Sequence, residues 1–534
     1  MRRRLFRSLA LAALAALAFS GPALAHGFGQ SYDLPIPLWL YLFGAGAAVL
    51  VSFVPISLIA EERDAKSPLS YPRFDLFRVR VLRVVLNNGA FLLSVRLLSV
   101  ALFLLVILTG LFGVQDAGVN FTPTFVWITW WVGFSFFAAF VGNLWPLVNP
   151  WKVLFDWAET NVRRLRLGKG LQLGEPYPAS WGVWPAVVLY AAFVWVENVF
   201  VGSATPVYLA VLTINYSVLT WGGMVVYGKE IWLRNGEVFS VFFGLLGRFA
   251  PTEVRVKGES CRGCASDCSS REWGCVNCYE CFAGAAPRDR ELAVRPPAVG
   301  LARPERVATG GVFFVILVLA GVSFDGLLET PFWVWLQVVT GVPRTLGLVA
   351  LPLLYFAVYL LFVKLSQVLG GGTGRLRGFA AAYVFSLVPI AVAYQVAHYY
   401  TLLLVQGQAI VRHVSDPFGW GWDLFGTAGY SIDPGVVGAA FVWYSQVALI
   451  VAGHVVAVYL AHLVALRLFE DPGRALRSQL PMLALMILYT VFSLWIISQP
   501  IVVEDRAVET APQEDASQPS PMEKLREPPM PDIP

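Results

Sequence analysis

All 6 cysteines of the chain lie in one run, C-R-G-C-A-S-D-C-S-S-R-E-W-G-C-V-N-C-Y-E-C, at Cys261, Cys264, Cys268, Cys275, Cys278 and Cys281. Two thiolates two residues apart can grip one ion, because a tight turn points both sulfurs inward. In a cytoplasm that keeps thiols reduced, this spacing predicts metal ligation rather than disulfides. Zinc fits as one four-cysteine site with two spare thiols, or as a binuclear site. The run Cys275-x2-Cys278-x2-Cys281 also fits iron–sulfur ligation with a fourth ligand from the earlier group, although Phe282 stands where a proline usually follows. Redox-active thiols are a third reading. A structural zinc site would simply fold a loop too small for its own core.

A second set of candidates lies within apolar stretches, where a charged or imidazole side chain is costly and is therefore a functional candidate. The chain has 5 histidines. His398 occurs in Tyr394-Gln-Val-Ala-His398-Tyr, with Gln395 on the same helical face. His454 and His462 share one later stretch, roughly 12 Å apart along a helix, so they cannot both bind one ion. His413 falls in the connection after the His398 stretch. The acids are Glu197, followed by Asn198, and Asp325, in Ser323-Phe-Asp325-Gly. Glu197, Asp325, Gln395 and His398 are expected in the outer half of the membrane, as are Gln406, Gln408 and His26. Such a set suffices to bind a divalent ion and activate water. An acid–histidine pair alone suffices for proton transfer. The structural alternatives are that His398 hydrogen-bonds across helices and that Asp325 caps a broken helix.

The elements that must position these residues are apolar spans. Ten are predicted, at about Trp39–Ile59, Phe91–Phe112, Phe125–Trp145, Trp184–Val201, Val207–Tyr227, Gly310–Leu328, Leu346–Val363, Phe379–Val405, Ala439–Leu466 and Met482–Ile497. Basic connections alternate with nearly neutral ones. The positive-inside rule then places the start of the first span and the C-terminus outside, and the cysteine loop in the cytoplasm. Residues 1–25 read as a secretory signal, with Arg2, Arg3 and Arg4, an apolar Leu9–Phe19 and Ala23-Leu24-Ala25 as the cleavage site. Cleavage there would leave His26 first, whose amino group and imidazole can together chelate copper. Five spans (26–228) thus precede a cytoplasmic loop (229–309) and five follow it (310–500). The halves would be opposite in orientation, as in inverted-repeat transporters, but they share no clear sequence match. The acidic, proline-rich tail 501–534 is expected to be disordered.

Composition agrees with this organisation. Of 534 residues, 57% are hydrophobic and 14% charged, whereas a soluble chain carries roughly a quarter charged residues. Mean hydropathy is +0.64. A net charge of +4 gives no ground for nucleic-acid binding, since the basic residues flank the spans. The expected fold is all-α: a polytopic membrane helix bundle with a cytoplasmic, cysteine-rich metal loop and the lipid bilayer as its main partner.

Three segments carry a resemblance. They are His26-Gly-Phe-Gly-Gln-x-Tyr-Asp-Leu-Pro-x-Pro-Leu-Trp-Leu-Tyr-Leu, Gln395-Val-Ala-His-Tyr-Tyr through Gln406-Gly-Gln408, and Gly453-His-Val-Val-Ala-Val-Tyr-Leu-Ala-His462. From His26 to about Gln499 the chain resembles a bacterial membrane family named fenitrothion hydrolases. The resemblance implies hydrolysis of an organophosphate triester at the inner membrane, with release of a phenol. The soluble metallohydrolase motifs H-x-H and H-E-x-x-H are absent, as is G-x-S-x-G.

The first expectation is therefore a metal-dependent phosphotriesterase whose metal, held by His398 and Asp325 with Glu197, activates water for an apolar substrate from the lipid. The second is a transporter or assembly factor for a metal ion or small solute, with His26 for capture and His398, His454 and Asp325 along the path. The third is a membrane subunit of a redox complex with an iron–sulfur loop.

Overall fold

The computed structural model describes residues 32–59, 71–165, 170–257, 275–303 and 307–499. The segment expected as a secretory signal, His26, Cys261, Cys264, Cys268 and the acidic tail lie outside the described residues.

The fold is an all-α polytopic helix bundle. Nine helices among the described residues are long and apolar enough to cross a membrane. In chain order the larger helices are α1 (Leu38–Ile59), α2 (Gly89–Phe112), α3 (Phe121–Phe140), α4 (Pro150–Leu165), α5 (Trp184–Asn198), α6 (Pro206–Tyr227), α7 (Lys229–Asn235) and α8 (Val238–Phe249). After the cysteine turn come the short α9 (Tyr279–Gly284), then α10 (Thr309–Leu328), α11 (Arg344–Leu369), the long helical run α12 (Leu376–Ser415), α13 (Ala439–Leu468) and α14 (Pro472–Ser498). The tenth expected span is the 15-residue α5. At 1.5 Å per residue it is about 22 Å long, short of a bilayer core of roughly 30 Å.

Burial sorts these helices. α10 and α12 are mostly enclosed by protein, whereas α1 and α2 keep most of their surface outward. α10 packs against α5, α11 and α12, and α14 against α1, α11 and α13. Helices apolar all round are stable in these settings because either lipid or neighbouring helices cover them.

Residues 229–249, expected as the start of a cytoplasmic loop, instead enter the bundle. Between α7 and α8 stands Glu237, wholly buried, whose Oε1 accepts from the Tyr216 hydroxyl at 2.6 Å. Tyr216 is about 16 Å up α6 from Tyr227 by helical rise. Yet the far end of α8 has returned, since Phe249 meets Phe140 at the end of α3. The α7–α8 pair is thus a re-entrant hairpin. A Cβ on Gly223 of α6 would stand 2.2 Å from the Trp232 ring of α7, so only glycine lets the hairpin lie this close. A second helix start is buried at the same level: Trp151 of α4 donates to Ser217 at 2.7 Å, and Asn149 caps α4 by accepting from Lys152 N.

Glu237 joins the two. It also accepts from Phe239 N at 3.1 Å, Ser240 N at 2.7 Å, Trp145 Nε1 at 3.2 Å and Asn149 Nδ2 at 3.2 Å. Glu237 thus caps α8 directly and reaches the start of α4 through the side chain of its cap, Asn149. Removing it would leave these buried donors unpaired, at about 1–3 kcal/mol each.

At the end of the bundle where α8 emerges sits a three-stranded antiparallel sheet in the order β1 (Phe74–Asp75), β3 (Arg290–Val294), β2 (Thr252–Val256). Glu253 of β2 exposes no side-chain surface and accepts from Arg295 at 2.6 Å, Arg303 at 2.8 Å and Tyr71 at 2.7 Å, with Arg255 on its other oxygen. Arg295 also donates to the carbonyls of Gly247, Arg248 and Ala250, capping the negative end of α8.

Burial works against the Glu253 charge. The Arg295 and Arg255 guanidiniums and the hydrogen bonds of Tyr71 and Arg255 outweigh it, and hold the carboxyl below its ordinary value. A carboxyl lowered in the folded state stabilises fully above its unfolded value of about 4.3, and that stabilisation is lost as pH falls through the native value. Thermal unfolding of the purified protein should therefore show a drop in Tm on acidification below pH ~4.3 that Glu253→Gln reduces. An unchanged acid limb in the variant would assign the drop to other groups.

Candidate functional site

At the opposite end of the bundle from the sheet, three helices bring ionisable groups together and a fourth adds a tryptophan donor. Asp325 lies in the last two turns of α10. The next residue, Gly326, has no room for a Cβ, which would meet Ile496 at 2.6 Å and the Tyr394 hydroxyl at 2.8 Å. That close approach seats α10 against α12 and α14. Asp325 Oδ2 then lies 2.8 Å from His398 Nε2 and accepts from the Tyr399 hydroxyl at 2.6 Å, both on α12. The Tyr399 hydroxyl is also 3.3 Å from Glu197 Oε1, in the last turn of α5. Glu197 Oε1 accepts in turn from Trp131 Nε1 at 2.8 Å.

Trp131 belongs to a stretch of α3, Thr124–Gly133, wound as a π-helix. Such winding is rare and concentrates at functional sites. It sets Trp131 against Phe242 of the re-entrant α8, ring centroids 4.8 Å apart. Tyr394 lies parallel to the His398 ring, centroids 6.1 Å apart. The His398 and Asp325 side chains each keep under a fifth of their surface exposed, so the chain has one open end.

The hydrogen-bond chain runs Glu197, Tyr399, Asp325, His398. Tyr399 has one proton to give and two carboxylates beside it. The shorter contact goes to Asp325. Both links of Tyr399 are made when one of the two carboxyls, Glu197 or Asp325, carries a proton and donates it to the Tyr399 oxygen. The arrangement holds protons in a row and can pass them on. Buried polar atoms without a protein partner adjoin it, namely Asn198 Oδ1, Tyr394 Oη and Gln395 Nε2. Ordered water is the usual partner of such atoms. Just past α10, Glu329 is held above its ordinary range, first by burial and then by the Asp325 carboxylate, against the pull of His398 and Arg344.

Glu197, Asp325 and His398, singled out from the sequence, thus meet in space. They do so as a chain rather than around one point, since the Tyr399 hydroxyl separates the two carboxylates. Tyr399 and Trp131 were not singled out. The signal for Tyr399 was its place beside His398; nothing in the sequence marked Trp131. The other candidates lie elsewhere. His454 is fully buried on α13 and bonds Ile450 O of its own helix at 2.7 Å. His462 bonds Gln479 Oε1 at 2.7 Å. His413, expected in a connection, is on the helix Ala409–Ser415 and buried. Gln406 is exposed. Gln408 pins the following loop through Asp433 and Tyr430.

At the sheet end, the sulfurs of Cys275, Cys278 and Cys281 lie within 4.8 Å of one another and could hold a metal ion. Among the described residues they are the one group of three or more cysteine, histidine or carboxylate ligands so placed. The turn is made by Asn277 at φ 53°, a conformation asparagine tolerates, which trades hydrogen bonds with Val254 of β2. One expectation is corrected: Cys275 is disulfide-bonded, not a thiol, so ligation by all three sulfurs needs that bond reduced. Cys278 starts α9 and Cys281 is buried on it.

No family model, no curated protein and no solved structure matches this chain.

The proton count predicts an infrared signature. The wild type at neutral pH should show a protonated-carboxyl band that Glu197→Gln or Asp325→Asn removes and Tyr399→Phe shifts. A spectrum in which none of these variants changes that region would rule out a proton on either carboxyl.

Proposed function

We propose that the protein couples proton movement to the passage of a small solute or ion across the membrane. The observation behind this is the unbroken chain Glu197–Tyr399–Asp325–His398, with one end open and the other sealed by Trp131. Intramembrane acid and imidazole chains serve proton relays in transporters. The re-entrant half-helices whose N-termini meet at Glu237 are a second transporter-like feature. On the charge pattern of the connections, the sheet end faces the cytoplasm of a bacterial inner membrane and the relay faces outward.

The test uses the full-length protein in vesicles that enclose a pH-reporting dye. Divalent metal ions and small organic acids are offered in turn. Solute entry should change internal pH in the wild type and not in Asp325→Asn or His398→Ala at equal incorporation. Equal coupled entry in both variants would defeat the reading.

A second reading, phosphotriester hydrolysis, is favoured by the Asp325–His398 pair. A carboxylate behind an imidazole orients it as a general base and stabilises the imidazolium. Water giving a proton to His398 would attack the phosphorus of an apolar triester arriving from the lipid; the P–O bond to the phenol would break, and the phenolate would leave with that proton, giving a diester and a phenol. A metal held jointly by His398, Asp325 and Glu197 is less well supported, because Tyr399 lies between the carboxylates. Triester turnover by the pure protein, lost in His398→Ala and without solute-coupled pH change, would select this reading.

For the cysteine cluster we propose zinc in a structural role, the fourth ligand coming from Cys261, Cys264 or Cys268. Elemental analysis of reduced protein should find zinc, and Cys278→Ser should lower both zinc and protein abundance. Stoichiometric iron with visible charge-transfer bands would instead favour an iron–sulfur cluster and a redox-complex subunit.

A further inference from the structure

A small cavity of about 10 Å³ lies where α1, α13 and α14 meet, lined by Phe53, Val458, Ala461, Gln479, Met482, Leu483 and Met486. This is room for one water or one ion. Its wall is unusual for this chain. Only 6 methionines occur in the whole sequence, and two of them, one helical turn apart on α14, face this one space.

His462 adjoins it. Its ring meets the cavity-lining Phe53 edge-on, centroids 6.3 Å apart. Its Nδ1 bonds Oε1 of the cavity-lining Gln479, whose own Nε2 donates to Ala475 O at 2.9 Å. Gln479 Oε1 can only accept, so Nδ1 carries the proton and Nε2 carries a lone pair. That Nε2 is buried and has no hydrogen-bond partner, in a residue 4% exposed. Val458 and His462 are a turn apart on α13 and so share a face. This is how metal-binding imidazoles are usually prepared, with one nitrogen tied to an oxygen and the other left as donor.

We infer that this seam binds a soft monovalent metal ion of the Cu(I) or Ag(I) class, through the thioethers of Met482 and Met486 and Nε2 of His462. Neutral sulfur and imidazole donors suit such ions and suit Mg²⁺ or Ca²⁺ poorly. A single positive charge with three neutral ligands is also the least costly ion to hold in an apolar bundle. His454, two turns further along α13, is not among the ligands. The assignment is independent of the proton relay and goes beyond it.

The experiment uses the full-length protein in nanodiscs with [methyl-13C]methionine, and Ag(I) as a redox-inert probe. Few methyl signals arise, and Met482→Leu and Met486→Leu assign them. After the cysteine loop is saturated, further Ag(I) should shift the Met482 and Met486 signals together and leave Met224 in place. Gln479→Leu, which deprives Nδ1 of its partner, should weaken that response by about 10–100-fold. Signals that stay fixed in excess Ag(I) would overturn the site and leave the cavity to a water molecule. Because the titration reads the wild type directly, a variant that fails to fold does not decide it. An Asp325→Asn protein that still shows the shifts separates this site from any failure of the relay.

Discussion

Glu237 is the constraint on which the rest of the structure depends. Two helices begin inside the bundle, and their first N–H groups cannot reach water. Glu237 meets that need for α8 and Asn149 for α4, and the Asn149 amide donates to Glu237, whose shell Tyr216 and Trp145 complete. Because Glu237 fixes the start of α8, Phe242 stands against Trp131. Because Trp131 is held there, its indole N–H reaches Glu197. The proposed relay thus depends for its geometry on the cap of α8, a helix that supplies none of its members.

The other end of α8 is tied with equal care. Arg295 donates to its last carbonyls and to Glu253, and Glu253 sits on the strand that trades hydrogen bonds with Asn277 in the cysteine turn. One apolar helix is therefore linked through Arg295 and β2 to the metal-type turn at one end, and packs on Trp131, beside Glu197, along its side. Gaining or losing a metal at Cys278 and Cys281 would act first on β2 and next on the cap of α8.

Much of this was legible in the sequence. Span positions followed from hydropathy, because lipid demands long apolar helices. Glu197, Asp325 and His398 stood out because ionisable groups inside spans are rare. Depth alone did not show that they meet, and tyrosine is too common in this chain, at 19 residues, for Tyr399 to draw notice. Glu237 was hidden for the opposite reason. It lies amid basic residues, and the apolar run after it, Val238–Phe249, is too short to read as a span. Only its capping of α8 distinguishes it, and a cap by itself does not tell a buried helix from a surface one.

The histidines of the bundle divide by what holds them. His398 faces the Asp325 carboxylate. His454 and His462 face a backbone carbonyl and an amide oxygen, neutral acceptors that fix the proton on Nδ1. Each of these two rings leaves a buried Nε2 with no hydrogen-bond partner. The first setting suits proton transfer and the second suits a ligand. The two kinds of partner, rather than the histidines themselves, separate the proposed relay at one end of the bundle from the proposed soft-ion site in its side.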